Sequence, residues 1–200
     1  MQPHRADAFS RSRLLDPRVR DVVTTLLGEE AAAAQSMYYF KPPGARGQAM
    51  HQDNFYLAVK PGSCLAAWTA IDPSTPENGG LFVVPETQDL DVQCPERADQ
   101  NESYFRDLVR PPPGKKAVPV ALNPGDTLFF NGSVIHGSGP NRSADTWRRS
   151  FICHYVPRSA EYVSAGYFPL LDFAGCEVPF KKNADGGPCG DGWRPSSYGA

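Results

Sequence analysis

A repeating rhythm constrains this chain most. Short apolar runs rich in β-branched and aromatic residues are cut, again and again, by Pro/Gly turns. SMYYF runs into KPPG, NFYLAV into KPG and CLAAWTAI into DPSTPENGG, and LFVVP follows. After an interruption come AVPVAL, NPGDTLFF, SVIHGSG and WRRSFICHYV. Such segments read as strands. Continuous apolar strands ending at turns, with a helix packed outside them, fit a two-sheet β-sandwich or jelly roll.

The helix is expected at Pro17 to Ala34. Val19, Val22, Val23, Leu26 and Leu27 recur at three- and four-residue spacing, with Asp16 placed as N-cap and Pro17 at the first helical position. The polar, Pro-rich stretch from Gln88 to Lys116 contains RPPPG and reads as an extended surface connection. Residues 158–200 carry many Gly and Pro and read as a loosely structured tail or lid edge. At 200 residues without a composition break, the chain is expected to form one domain over 1–200, with a flanking helix at 16–34 and a core at 35–157.

Charge narrows the partners. A formal net charge of -2 offers no global field for nucleic acid or an anionic membrane. No stretch approaches the roughly 20 apolar residues of a membrane span, and the first residues lack the apolar core of a signal peptide. A soluble, cytoplasmic protein is the expectation. The 5 cysteines are widely spaced with no C-x-x-C pair, and free thiols in a reducing interior are the simplest account.

Chemistry concentrates in MHQDNFY. On an extended strand His51 and Asp53, at i and i+2, share a face and can reach one cation. His136 in SVIHGSG is the candidate third ligand. Two histidines and a carboxylate on one face leave three positions open, as non-haem Fe(II) oxygenases require for a bidentate oxoacid and dioxygen. A closed zinc site would use four Cys or His ligands, and no such closely spaced quartet exists here. A 2-oxoglutarate cosubstrate further needs a cation for its distal carboxylate, and arginine suits a two-pronged grip. Arg148 and Arg149 follow His136 in TWRRSFICHYV, expected to return beside the metal by a hairpin, and alternation allows only one of the two to face it.

Each residue alone has a plainer reading. An H-x-D triplet arises by chance, and His136 could be a hydrogen-bonded loop histidine. A strand arginine is commonly a surface group. His154 reads as a packed or surface histidine and His4 as part of a mobile terminus. The glycines of NGG and HGSG read as turn residues rather than phosphate cradles. Order and context favour the metal site.

Through SMYYFKPPG, MHQDNFY, AAWTAIDPSTPENGGLFVVPETQ, NPGDTLFFNGSVIHGSGPNRS and WRRSFICHY, the chain resembles the phytanoyl-CoA dioxygenase family of Fe(II)/2-oxoglutarate oxygenases. The resemblance covers roughly residues 35 to 157 and implies a mainly β, double-stranded β-helix core of the cupin-like, jelly-roll kind. It places His51, Asp53 and His136 at the iron ligands and Gln52 inside the motif that also contacts the cosubstrate. Met37, Trp68 and Ser138 fall on the 2-oxoglutarate pocket and Arg148 on the distal carboxylate, Trp147 keeping an aromatic-Arg pair that favours it over Arg149. Met37 and Trp68 also have plain readings as core residues. Hydroxylation of a small organic molecule is implied, with halogenation disfavoured because Asp53 fills the position a halide would need. Members of the family carry further residues ahead of the segment equivalent to Asp16. The expectation is therefore that the start is a truncation, or that the pocket is unusually open, or that a second copy or a partner covers it. A catalytically silent metal-binding jelly roll and a divalent-metal hydrolase are the alternatives.

Overall fold

The computed structural model describes residues 1–183 and Cys189. A 3-10 turn at Pro3–Arg5 leads into α1 (Ala8–Leu14) and α2 (Pro17–Leu27). There follow β1 (Ala31–Lys41), β2 (Gln48–His51), a single helical turn α3 (Asn54–Leu57), β3 (Leu65–Ala70), β4 (Leu81–Val83), and the two-residue strands β5 (Glu96–Arg97) and β6 (Asp107–Leu108). β7 (Val118–Val120), β8 (Thr127–Asn131), β9 (His136–Ser138) and the long β10 (Arg148–Pro157) complete the core. β11 (Tyr162–Ser164), β12 (Leu170–Leu171), β13 (Glu177–Val178) and β14 (Lys181–Asn183) follow.

Two sheets make the jelly roll. The larger runs β13-β12-β1-β10-β3-β8 and the smaller β2-β9-β4-β7. Strand alternation divides the work of the larger sheet. Outward, Leu65, Ala67, Phe151, Cys153 and Tyr155 pack with Leu14 and Val23 of the helices. Inward, Met37, Ala66, Trp68, Phe130 and Ile152 meet Leu81 of the smaller sheet. Register lines up Met37, Ile152, Trp68 and Leu128 across four adjacent strands. Each fully buried aliphatic chain in these layers contributes about 1.5–3 kcal/mol.

The expected helix ends early. Gly28, at φ 72, closes α2 with its N–H bonded to Thr24 O, a left-handed conformation only glycine adopts without cost. Ala31–Ala34 therefore belong to β1, each 3% exposed or less, their small side chains fitting beneath neighbouring elements. NFYLAV is not a strand either, since Asn54–Leu57 make one helical turn whose four side chains are all buried. The amino terminus is ordered rather than mobile: His4 is buried and its Nδ1 lies 2.6 Å from Ser36 Oγ. Burial, then Arg5 and Arg11, pull that imidazole down to about 4, so it is neutral.

The carboxyl-terminal part also differs from the expected loose tail. β12 and β13 extend the larger sheet, and β11 pairs with β14 in parallel. The remainder of that tail, 184–188 and 190–200, lies outside the described residues. Cys94 and Cys189 form a disulfide, which corrects the expectation of free thiols throughout, while Cys64, Cys153 and Cys176 are free. The partners stand 95 positions apart, a pairing spacing alone does not show. Among the described residues no helix is long and apolar enough to cross a membrane.

Candidate metal centre

β2 and β9 are antiparallel neighbours in the smaller sheet, and their register sets His51 directly opposite His136. Asp53 arrives differently from the strand expectation. The strand ends at His51, and Asp53 has helical φ -62 and ψ -35 at the start of α3. A turn, not strand alternation, swings the carboxylate back over the histidines. Its Oδ1 lies 3.5 Å from His51 Nε2 and 3.6 Å from His136 Nε2, and the three candidate ligand atoms fall within 4.8 Å of one another.

Both histidines are set to present a lone pair. His51 Nδ1 lies 2.9 Å from Ala49 O and His136 Nδ1 lies 2.9 Å from Val134 O, so in each ring Nδ1–H donates to a carbonyl and Nε2 is left as the acceptor facing Asp53. Burial, opposed by Asp53, takes His136 down to about 4, and a neutral imidazole is the form that ligates a cation. Burial alone would raise Asp53, but the imidazoles of His136 and His154 beside it and the hydrogen bond from His154 hold it well below the usual carboxylate range. Two nitrogens and one carboxylate oxygen, with no thiolate, form a donor set suited to divalent iron.

His154 is neither a surface residue nor a bystander. It is 2% exposed and its Nε2 lies 3.0 Å from Asp53 Oδ2. One carboxylate oxygen is thereby engaged while Oδ1 faces the two candidate ligand histidines. The insertion supplies another wall: Phe105 is buried with its ring 5.7 Å from that of His51, and Tyr104 donates to Gln48 Oε1. Gln48 Nε2 in turn lies 3.2 Å from His51 Nε2. The segment expected to be only a surface connection thus reaches the metal end.

A cleft of about 400 Å³, mouth included, extends from the triad between the sheets. Met37, Trp68, Ser138 and Arg148 line it together with His51, Asp53, His136 and His154. β9 and β10 lie in different sheets, so Arg148 does not return by a hairpin but by a connection that crosses the roll. It is 3% exposed, with its guanidinium 5.6 Å from the centre of the Trp68 ring. Arg149 points outward, gripping Asp72 with two contacts of 2.7 Å. Gln52 is fully buried yet turned from the cleft, donating to Ser133 O and Asp91 O and accepting from Gln93 N. Its side chain braces the 88–116 segment.

Two further groups, His154 in the cleft and Lys41 against its Ser138, carried a sequence signal that the motif reading passed over. Met37, Tyr39 and Lys41 share a parity on β1, as do Arg148, Ser150, Ile152 and His154 on β10, so both Lys41 and His154 belong to the inner face. Lys41 is 4% exposed, and its Nζ lies 2.8 Å from Ser138 Oγ. Tyr104 and Phe105 had no such periodic signal.

A family model described as phytanoyl-CoA dioxygenase (PhyH) matches residues 1–150. "Phytanoyl-CoA dioxygenase 1" of Oryza sativa subsp. japonica is 31% identical over 144 residues, 70% of this chain and 50% of that protein. "Methylphosphonate hydroxylase" of Gimesia maris is 30% identical over 145 residues, 72% of this chain and 53% of that one. The chain thus spans about half the length of these curated relatives. Among solved structures, the epimerase SnoN in complex with Fe3+, alpha ketoglutarate and nogalamycin RO aligns with a TM-score of 0.63 at 24% identity, covering 78% of this chain and 61% of that one. That likeness speaks to the fold.

Proposed function

The chain belongs to the phytanoyl-CoA dioxygenase family, and from that premise we propose that it is an Fe(II)- and 2-oxoglutarate-dependent dioxygenase that hydroxylates a small organic molecule with release of succinate and CO2. One observation carries the reading. A buried His-Asp-His face and a buried arginine with no ion-pair partner among the described residues line the same cleft. A metal site alone would serve a hydrolase equally well; the arginine adds a seat for a dicarboxylate.

When bound, Fe(II) with 2-oxoglutarate and dioxygen supplies the oxidising chemistry, and the protein supplies orientation, electrostatics and exclusion of water. His51, Asp53 and His136 would hold the metal at the inner end of the cleft. The carbonyls of Ala49 and Val134 fix the two ring orientations. Arg148 takes the distal carboxylate of 2-oxoglutarate, with Ser138 beside it, while Met37 and Trp68 form the apolar wall that keeps water from the ion pair. The proposed substrate class stays at a small organic molecule, since relatives of similar identity are named for substrates as different as an acyl-CoA and methylphosphonate.

The test is succinate formation from 2-oxoglutarate by protein loaded with Fe(II) without oxygen and then exposed to it, wild type against His51→Ala. The proposal expects succinate from the wild type only. Equal background from both would overturn it and favour a silent metal-binding protein or a hydrolase.

A further inference from the structure

β1 and β10 are antiparallel neighbours, and their register sets Lys41 directly opposite Arg148 on the inner face. Like charges paired across a sheet repel, and burial makes the repulsion more costly. Both residues are buried, and among the described residues neither makes an ion pair. Lys41 Nζ meets only neutral acceptors: Gly139 O at 2.6 Å, Ser138 Oγ at 2.8 Å and Gly79 O at 3.1 Å. Arg148 donates to Gly79 O and Ser150 Oγ. Gly79, at φ 77, brings its carbonyl between the two cations, and a side chain there would collide with Lys41 Cδ.

Among the described residues no carboxylate is in contact with the amine. β1 itself offers Tyr39, whose phenol burial pushes up and keeps neutral. β10 offers Arg148, the turn before β4 offers Gly79, and β9 with the residue after it offers Ser138 and Gly139. The connection to β10 offers Asn141, which donates to Lys41 O. Asp72, the acid at this end of the sheet, is held outside by Arg149. A buried guanidinium without an anion, with a buried amine set opposite it, describes a seat prepared for one.

We propose that Lys41 is a second, proton-accepting cation of this seat: it takes up a proton as the distal carboxylate of 2-oxoglutarate docks on Arg148, and turns the Ser138 hydroxyl toward that carboxylate. The inference rests on the oxygenase reading above. Burial, then Arg148, bring Lys41 down to about 6, so the empty seat holds a neutral amine at neutral pH. A neutral amine donates two N–H bonds, to Gly139 O and Gly79 O, and accepts one from the Ser138 hydroxyl. When a carboxylate arrives, its charge favours the ammonium, and the Nζ lone pair captures a proton from solvent. Nζ now donates to Ser138 Oγ, and the hydroxyl hydrogen swings to the carboxylate. No electrons move, and the only proton gained is the one solvent supplies.

The sign follows from linkage. The complex holds one more proton than the free protein between the free value of about 6 and the raised value in the complex. Affinity in that window weakens about tenfold for each pH unit upward. The experiment is calorimetric titration of 2-oxoglutarate into Mn(II)-loaded protein at about pH 7.5, in phosphate and in Tris, whose ionisation enthalpies differ. Wild type should take up close to one proton per 2-oxoglutarate bound. Lys41→Met should take up almost none and bind about tenfold more weakly, whereas Ser138→Ala should keep the uptake while binding more weakly. Wild-type binding with no proton uptake and no pH dependence would overturn the proposal and leave the oxygenase reading intact. Failure of the metal-loaded wild type to bind 2-oxoglutarate at all would remove the reading beneath it. The wild-type comparison decides even where a variant fails to fold.

Discussion

At Asp53 a single carboxylate serves three imidazoles, His154 through Oδ2 and the candidate ligands His51 and His136 through Oδ1. Groups that hold a metal ligand from behind commonly account for 10- to 100-fold in metal affinity. His154→Phe should therefore weaken Mn(II) or Fe(II) binding by about that factor with little change in the melting temperature, and His154→Gln, which keeps a donor, should recover part of it. A competition titration with a chelator measures both. Equal affinity in all three proteins would remove His154 from the site. The candidate ligands were legible because two histidines and a carboxylate are chemically distinctive. Lys41 and His154 were less so, since a lysine or histidine within a strand gains meaning only when register shows what faces it.

Among the elements, α2 shows how local chemistry sets a boundary. Asp16 caps its start, accepting from Arg18 N–H at 3.0 Å and pairing with the Arg13 and Arg18 side chains. The hydrogen bond from Arg18 holds the carboxyl down to about 2 against burial. A lowered folded value means the stabilisation is complete above the ordinary value near 3.8 and is lost as pH falls through about 2. Asp16→Ala should cost about 1 kcal/mol at neutral pH, and chemical denaturation should show the gap between the two proteins closing toward pH 2. At the other end, Gly28→Val forces a β-branched residue into a positive φ and should cost at least about 1 kcal/mol. No loss of stability would contradict the cap assignment. The start of this helix was readable from Asp16 and Pro17. Its end was misread because the alanines after it favour helix in isolation, while Gly28 and burial within the sheet decide otherwise.

For the whole molecule, strand rhythm was enough to give a jelly roll, but not which strands share a sheet. The passage from β9 to β10 looks like a hairpin in sequence and is a crossing between sheets, a distinction that depends on long-range pairing. The Cys94–Cys189 bond likewise joins distant segments, tying the carboxyl-terminal part to the insertion. Alkylation under denaturing, non-reducing conditions should label Cys64, Cys153 and Cys176 and spare that pair, and prior reduction should expose all five cysteines.

Crossing the roll puts triad and arginine at one cleft, which is the premise of the oxygenase reading. Its most direct measurement is anaerobic titration of 2-oxoglutarate into Fe(II)-loaded protein, followed by the visible charge-transfer absorption of an oxoacid chelated to Fe(II). A saturable band at one 2-oxoglutarate per chain, absent in His51→Ala and shifted to much higher concentration in Arg148→Ala, is the predicted result. A wild type that binds Fe(II) and develops no band, or an Arg148→Ala protein that saturates like the wild type, would contradict it.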